Sequence, residues 1–124
     1  MEYQFKILIV RLILNGKTEE ALEMLAKSYG ISIPKIKVGL PKRHRKNVLG
    51  CYTAGDETIS VLDSDMLKEP SIILHEFYHH MRTDADKKHR GTERKARDYA
   101  QDYIKAYKSM LASRSESEKT KNYG

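Results

Sequence analysis

Tryptophan is absent from this chain, and cysteine occurs once, as Cys51. A lone cysteine excludes an internal disulfide framework, so a reducing, cytoplasmic setting is the simplest expectation. Long apolar runs are missing too. The longest, Ile7 to Leu14, is interrupted by Arg11 and is too short to cross a bilayer. The first residues include Glu2 and Lys6 and no small-residue cleavage site, so they do not read as a signal peptide, and no membrane partner is expected. Acids are absent from one stretch. Between Glu23 and Asp56 lie Lys27, Lys35, Lys37, Lys42, Arg43, Arg45 and Lys46 and no carboxylate, while the remainder is nearly neutral, so the net charge of +6 is one local basic patch. Within it Lys42, Arg43, Arg45 and Lys46 are the candidates for nucleic-acid contact. No aromatic lies between Lys35 and Lys46 to stack on bases, so a solvated loop is preferred and nucleic acid is the less favoured partner.

What is present suits one soluble domain with a modest core: 124 residues, 40% hydrophobic and 32% charged. That domain is expected over 1–111, with 1–30 as an N-terminal helical segment. The polar stretch 112–124, rich in Ser, Glu, Lys and Asn, reads as a disordered tail. Residues 3–14 have the apolar density of a buried helix, although their Ile and Val content also allows a strand over 4–14. Asn15-Gly16 stops this element, and Thr18 is placed to cap a second helix that runs to about Ser28, with Ala21, Leu22, Leu25 and Ala26 as its inner stripe. Residues 31–38 alternate as a strand, with Pro34 favouring an edge or a late start. Residues 47–52 and 57–62 predict a hairpin around 53–56. Helices with a small mixed sheet make the expected class α+β.

The chemistry lies in His75-Glu76-Phe77-Tyr78-His79. On a helix, His75 and His79 stand one turn apart on one face and can grip one Zn²⁺. Glu76 adjoins the first ligand, where a general base for a zinc-activated water belongs. With 5 His and 10 Glu in the chain, chance would produce roughly 0.02 such matches, which is suggestive without being decisive. Context adds weight: Pro70 suits a helix start, and Ile73, Leu74, Phe77, Tyr78 and Met81 form an apolar arc that argues against a surface helix with incidental histidines. His80 points about a quarter-turn from His79, towards solvent or substrate.

Two histidines leave a catalytic zinc one protein ligand short. Thr92 opens a third long helix with Ala96, Tyr99, Ala100, Tyr103, Ile104, Tyr107 and Leu111 at helical spacing. Glu93 in its first turn is the preferred third ligand, although a first-turn Glu is also favoured by the helix dipole alone. Asp84, Asp86 and His89 are the alternatives, and His44 reads as a surface residue of the basic loop.

The order of strand, hairpin, His-Glu-Phe-Tyr-His helix and Thr-Glu-Arg-Lys-Ala-Arg-Asp-Tyr-Ala helix resembles the compact gluzincin metallopeptidases. It is most similar to the minigluzincins and more distantly to the ImmA/IrrE-type enzymes. The likeness covers about Ile31 to Tyr107 and rests on His75-Glu76-x-x-His79 and Glu93-x-x-Ala96. It implies a third zinc ligand at Glu93, an extended substrate added as a strand beside Leu49-Gly50-Cys51-Tyr52, and latency if the terminal segment blocks the cleft. The first 30 residues have no counterpart, and the residue that stabilises the transition state is not placed by motif.

The expected function is therefore hydrolysis of peptide bonds by a small zinc-dependent metallopeptidase. It would use one Zn²⁺ held by His75, His79 and Glu93, with Glu76 as general base. Tyr78, His80, His89 and Tyr99 are the candidate transition-state stabilisers. Two alternatives stand beside it. One is a SprT-like DNA-associated protease with His89 as third ligand. The other is a non-catalytic, basic nucleic-acid-binding domain with a structural metal site, which would have no use for Glu76.

Overall fold

The first segment is helical in the computed structural model, which describes residues 2–44, 46–83 and 92–123. Helix α1, Glu2–Leu14, buries Ile7, Ile9, Val10 and Ile13 and leaves Arg11 exposed. A strand would have put Arg11 on the same face as Ile7, Ile9 and Ile13, so the helical period decides between the two readings. Helix α2, Thr18–Tyr29, buries Ala21, Leu22, Leu25 and Ala26 as expected. Its capping differs from the expectation. The N-cap position is Lys17, and the Thr18 hydroxyl instead donates to the Leu67 carbonyl across the fold. The helix stops at Gly30, whose φ of 67° is left-handed and whose N–H returns to the last turn.

Three strands follow: β1, Lys35–Val38; β2, Gly50–Thr53; and β3, Thr58–Val61. Their order is β1-β3-β2, with β1 parallel and β2 antiparallel to the central β3. All four residues of β3 are buried. The hairpin register pairs Gly50 with Val61 and Thr53 with Thr58. Strand β1 is shorter than the alternation predicts. Pro34 has no N–H to give a ladder, and the carbonyl of Ser32 accepts from His80 Nε2 at 2.8 Å instead. A short 3-10 helix, Ser64–Lys68, links the sheet to the next helix, with the Met66 N–H bonded to Asp63 Oδ1 at 3.2 Å.

Helix α3, Pro70–Arg82, has its proline in the first turn and buries Ile73, Leu74 and Phe77 completely. Helix α4, Thr92–Tyr123, lies along α3 and α1. It continues through 112–123, where the sequence suggests a disordered tail. Ala96, Ala100, Tyr103 and Ala106 are buried, whereas Leu111, expected in the stripe, is 44% exposed, so the buried face ends a turn earlier than the periodicity implies. The architecture is α+β, with helices and a small mixed sheet enclosing one core.

Strand β2 approaches α3 at Gly50. A Cβ there would stand 2.7 Å from Ile72 Cγ2, 3.3 Å from the Ser60 carbonyl oxygen and 3.7 Å from Glu76 Cγ. Since Ile72 is β-branched and packed against the core, it cannot swing aside freely. Gly50→Ala should therefore lower stability by about 1–3 kcal/mol in urea unfolding. Gly55→Ala, whose Cβ meets nothing within 4 Å, is the control and should lie within about 0.5 kcal/mol of wild type.

Candidate metal centre

Helical spacing in α3 sets His75 and His79 side by side, with ring centroids 5.0 Å apart. The small side chains of Ala96 and Ala100, 0% and 1% exposed, let α4 lie close on α3 and carry Glu93 to the same place. The Glu93 carboxylate divides its oxygens between the two rings. His75 Nε2 is 3.2 Å from Oε2, and His79 Nε2 is 2.6 Å from Oε1. One ligand atom from each residue lies within 4.8 Å of the others, a grouping that could hold a metal ion. Bonds of about 2.0–2.1 Å in a tetrahedral site separate neighbouring donors by about 3.3 Å. The 3.2 Å pair already meets that spacing, and the 2.6 Å pair needs a small opening. Two imidazoles and a carboxylate, each facing the others through a coordinating atom, are a donor set that fits a divalent ion.

Charge at the site is arranged asymmetrically. Partial burial pushes the Glu93 carboxyl up, but the imidazoles of His79 and His75 outweigh it and hold the group below the usual range. Glu76 goes the other way. Burial first, and then the neighbouring charge of Glu93, push it up to about 7. A carboxyl titrating near neutrality beside the cluster is suited to taking and returning a proton.

The cluster opens on a cleft of about 610 Å³. Gly50, Cys51 and Tyr52 of β2 line one side, and Glu76, Tyr78 and His79 of α3 line the floor. Burial, reinforced by the charge of Glu76, pushes the Cys51 thiol up, which keeps it protonated and unsuited to nucleophilic work.

The remaining candidates separate by position. Tyr78 lines the cleft. His80 does not meet solvent or substrate as its quarter-turn offset suggests: it is 7% exposed, accepts from the Tyr52 hydroxyl at Nδ1, 2.7 Å away, and donates from Nε2 to the Ser32 carbonyl. Because a carbonyl oxygen can only accept, the proton of the neutral ring belongs on Nε2. Tyr99 is held in a hydroxyl cluster with Tyr29 at 3.1 Å and Tyr103 at 3.2 Å, and burial raises its pKa far above the usual tyrosine range, so the phenol stays protonated. Of the basic patch, Arg43 reaches the cleft, whereas Lys42 and Lys46 are exposed away from it. His44, expected at the surface, is exposed and also borders the cleft. His89, Asp84, Asp86 and Arg45 lie outside the described residues. Sequence reasoning did not find the Tyr52–His80–Ser32 chain. The available signal was that His80 follows Glu76 by one helical turn and so shares its sheet-facing side.

Compared with family models, curated proteins and solved structures, the chain matches none of them.

Two outcomes follow from this geometry. Titration of metal-free protein with Zn²⁺ should show one site per chain. His75→Ala, His79→Ala and Glu93→Gln should each weaken it, the histidine variants by more than about 100-fold, while His89→Ala should not. The reverse ranking of Glu93→Gln and His89→Ala would move the third ligand to His89. The second outcome concerns stability without metal. The folded pKa of Glu76, about 7, exceeds its ordinary 4.5, so the native state binds the extra proton and stability falls as pH rises through that interval. At pH 8 the metal-free Glu76→Gln variant should be more stable than wild type by on the order of 3 kcal/mol, a gap that closes by about pH 4.

Proposed function

We propose that this chain is a small zinc-dependent metallopeptidase of the compact gluzincin type. The observation that carries the reading is the convergence of His75, His79 and Glu93 beside the buried carboxyl of Glu76, at the floor of an open cleft. A metal cluster with only a structural role has no need of a buried, uncompensated carboxyl next to it. His75, His79 and Glu93 would hold the ion, which when bound supplies Lewis acidity to a water and to the scissile carbonyl. Glu76 accepts the proton of the attacking water and passes it to the leaving amine, a task to which a pKa near 7 is matched.

Strand β2 offers the other half of the reading. It stands at the edge of the sheet and borders the cleft through Gly50, Cys51 and Tyr52. An extended peptide can add to such an edge by main-chain hydrogen bonds, which grips substrates of varied sequence. Tyr78 borders the cleft, which supports it over the other candidates as the donor to the developing oxyanion. The engagement of Glu93 with both histidines favours this reading over a histidine third ligand.

Zinc-loaded protein should cleave members of an unbiased peptide library. Glu76→Gln should keep fold and metal and lose about 10²–10⁴-fold in rate. A version ending near Leu111 should be assayed alongside and should cleave equally well, because α4 carries its far end away from the cleft that its first turn lines. No cleavage by either form would return the chain to a metal-bearing binding module. Cleavage that survives Glu76→Gln would keep the class and remove the base.

A further inference from the structure

We infer that the cleft selects peptide segments with acidic side chains close to the scissile bond. The inference takes its substrate class from the peptidase reading and adds the charge that the segment must carry. It starts from how the cleft-lining charges are used. Among the described residues the acids that line the cleft are Glu76 and Glu93. Glu93 is committed to His75 and His79, and Glu76 is buried at 8% exposure. The lining cations are Arg43, Arg82 and Lys95, and among the described residues none of the three pairs with a carboxylate. A divalent ion in the cluster would offset the two acids and leave these three cations unopposed.

The cations come from three separate elements that meet at the cleft. Arg43 belongs to the loop between β1 and β2, Arg82 is the last residue of α3, and Lys95 lies in the first turn of α4. Arg82 is half-buried at the cleft and has no carboxylate partner among the described residues, so its guanidinium is available to a ligand carboxylate through a bidentate, charge-assisted pair. Direction matters as well. Gly50 approaches Ile72 and Glu76, and Tyr52 reaches His80, so β2 and α3 run the same way. Arg82 therefore stands past the Thr53 end of β2, where a segment laid along that strand leaves the metal cluster. A nucleic-acid backbone is a poorer fit, because Lys42 and Lys46 do not line the cleft and, among the described residues, only Arg43, Arg82 and Lys95 bring cationic side chains to it.

The test has a binding arm and a cleavage arm. The binding arm uses full-length, zinc-loaded Glu76→Gln protein, in which turnover is slowed, and fluorescence anisotropy with labelled peptides that are identical except for Glu or Lys at the flanking positions. The Glu peptide should bind at least roughly tenfold tighter at low salt, and the gap should narrow as salt is added. The double variant Arg82→Glu/Lys95→Glu should lose or reverse the preference, and Arg82→Lys should retain it. Lys105→Glu/Lys108→Glu, the same charge change on exposed residues of α4 away from the cleft, should leave it intact. Equal binding of both peptides, or an equal effect of the two double variants, overturns the inference. So does a single-stranded oligonucleotide that binds more tightly than the Glu peptide and is lost in Arg82→Glu/Lys95→Glu. The cleavage arm compares kcat/KM of the zinc-loaded protein on the same peptides. Selective binding without cleavage would defeat the peptidase reading and leave the acid-selective cleft standing. Cleavage indifferent to charge would do the opposite.

Discussion

The close approach of α4 to α3 is the constraint on which the rest depends. A pair of histidines one turn apart makes, from local geometry alone, half of a group that could hold a metal ion. The other half requires that a carboxylate from a different helix be set against both rings to within a few tenths of an ångström. Ala96 and Ala100 make this possible, because a larger side chain at either place would lift α4 away and separate Glu93 from His75 and His79. The sheet does comparable work on the other side of α3. Only glycine fits at position 50, so β2 lies near enough for its residues to form a wall of the cleft.

A second constraint is energetic. Glu76 is buried with a raised pKa, which opposes folding at neutral pH. Proteins carry such groups where chemistry requires them and where neighbouring packing supplies the stability. Here that packing is close at hand: Ile73, Leu74 and Phe77, on the same helix, are fully buried.

Much of this was legible in the residues. The four helices and the hairpin follow from apolar spacing and from Gly and Pro punctuation, and Arg11 alone separates helix from strand in the first segment. His75, Glu76 and His79 are read from a fixed spacing. Glu93 needed more, because nothing local says that the first turn of α4 meets α3 and only the shortage of a third ligand pointed to it. What stayed hidden depended on tertiary contacts. Thr18 looked like a cap and is instead a long-range hydrogen-bond donor to Leu67. His80 looked like a surface neighbour of the ligands and is a buried link between β2 and the segment before β1. Leu111 kept the helical period yet lies beyond the core. Period and propensity describe one element at a time, and these residues are defined by the element opposite.

The N-terminal hairpin of α1 and α2 has no part in the cleft, yet it reaches the back of the helix that supplies Glu93. Lys6 pairs with Asp102, Tyr29 meets the hydroxyls of Tyr99 and Tyr103, and Ile9, Val10 and Ile13 enter the same core as Phe77. Tyr99 in turn stacks near Tyr78, with ring centroids 5.4 Å apart, on the floor of the cleft. The hairpin thus braces α4 about two to three turns beyond Glu93, so a segment that lines no part of the cleft helps to fix the direction from which the carboxylate reaches His75 and His79.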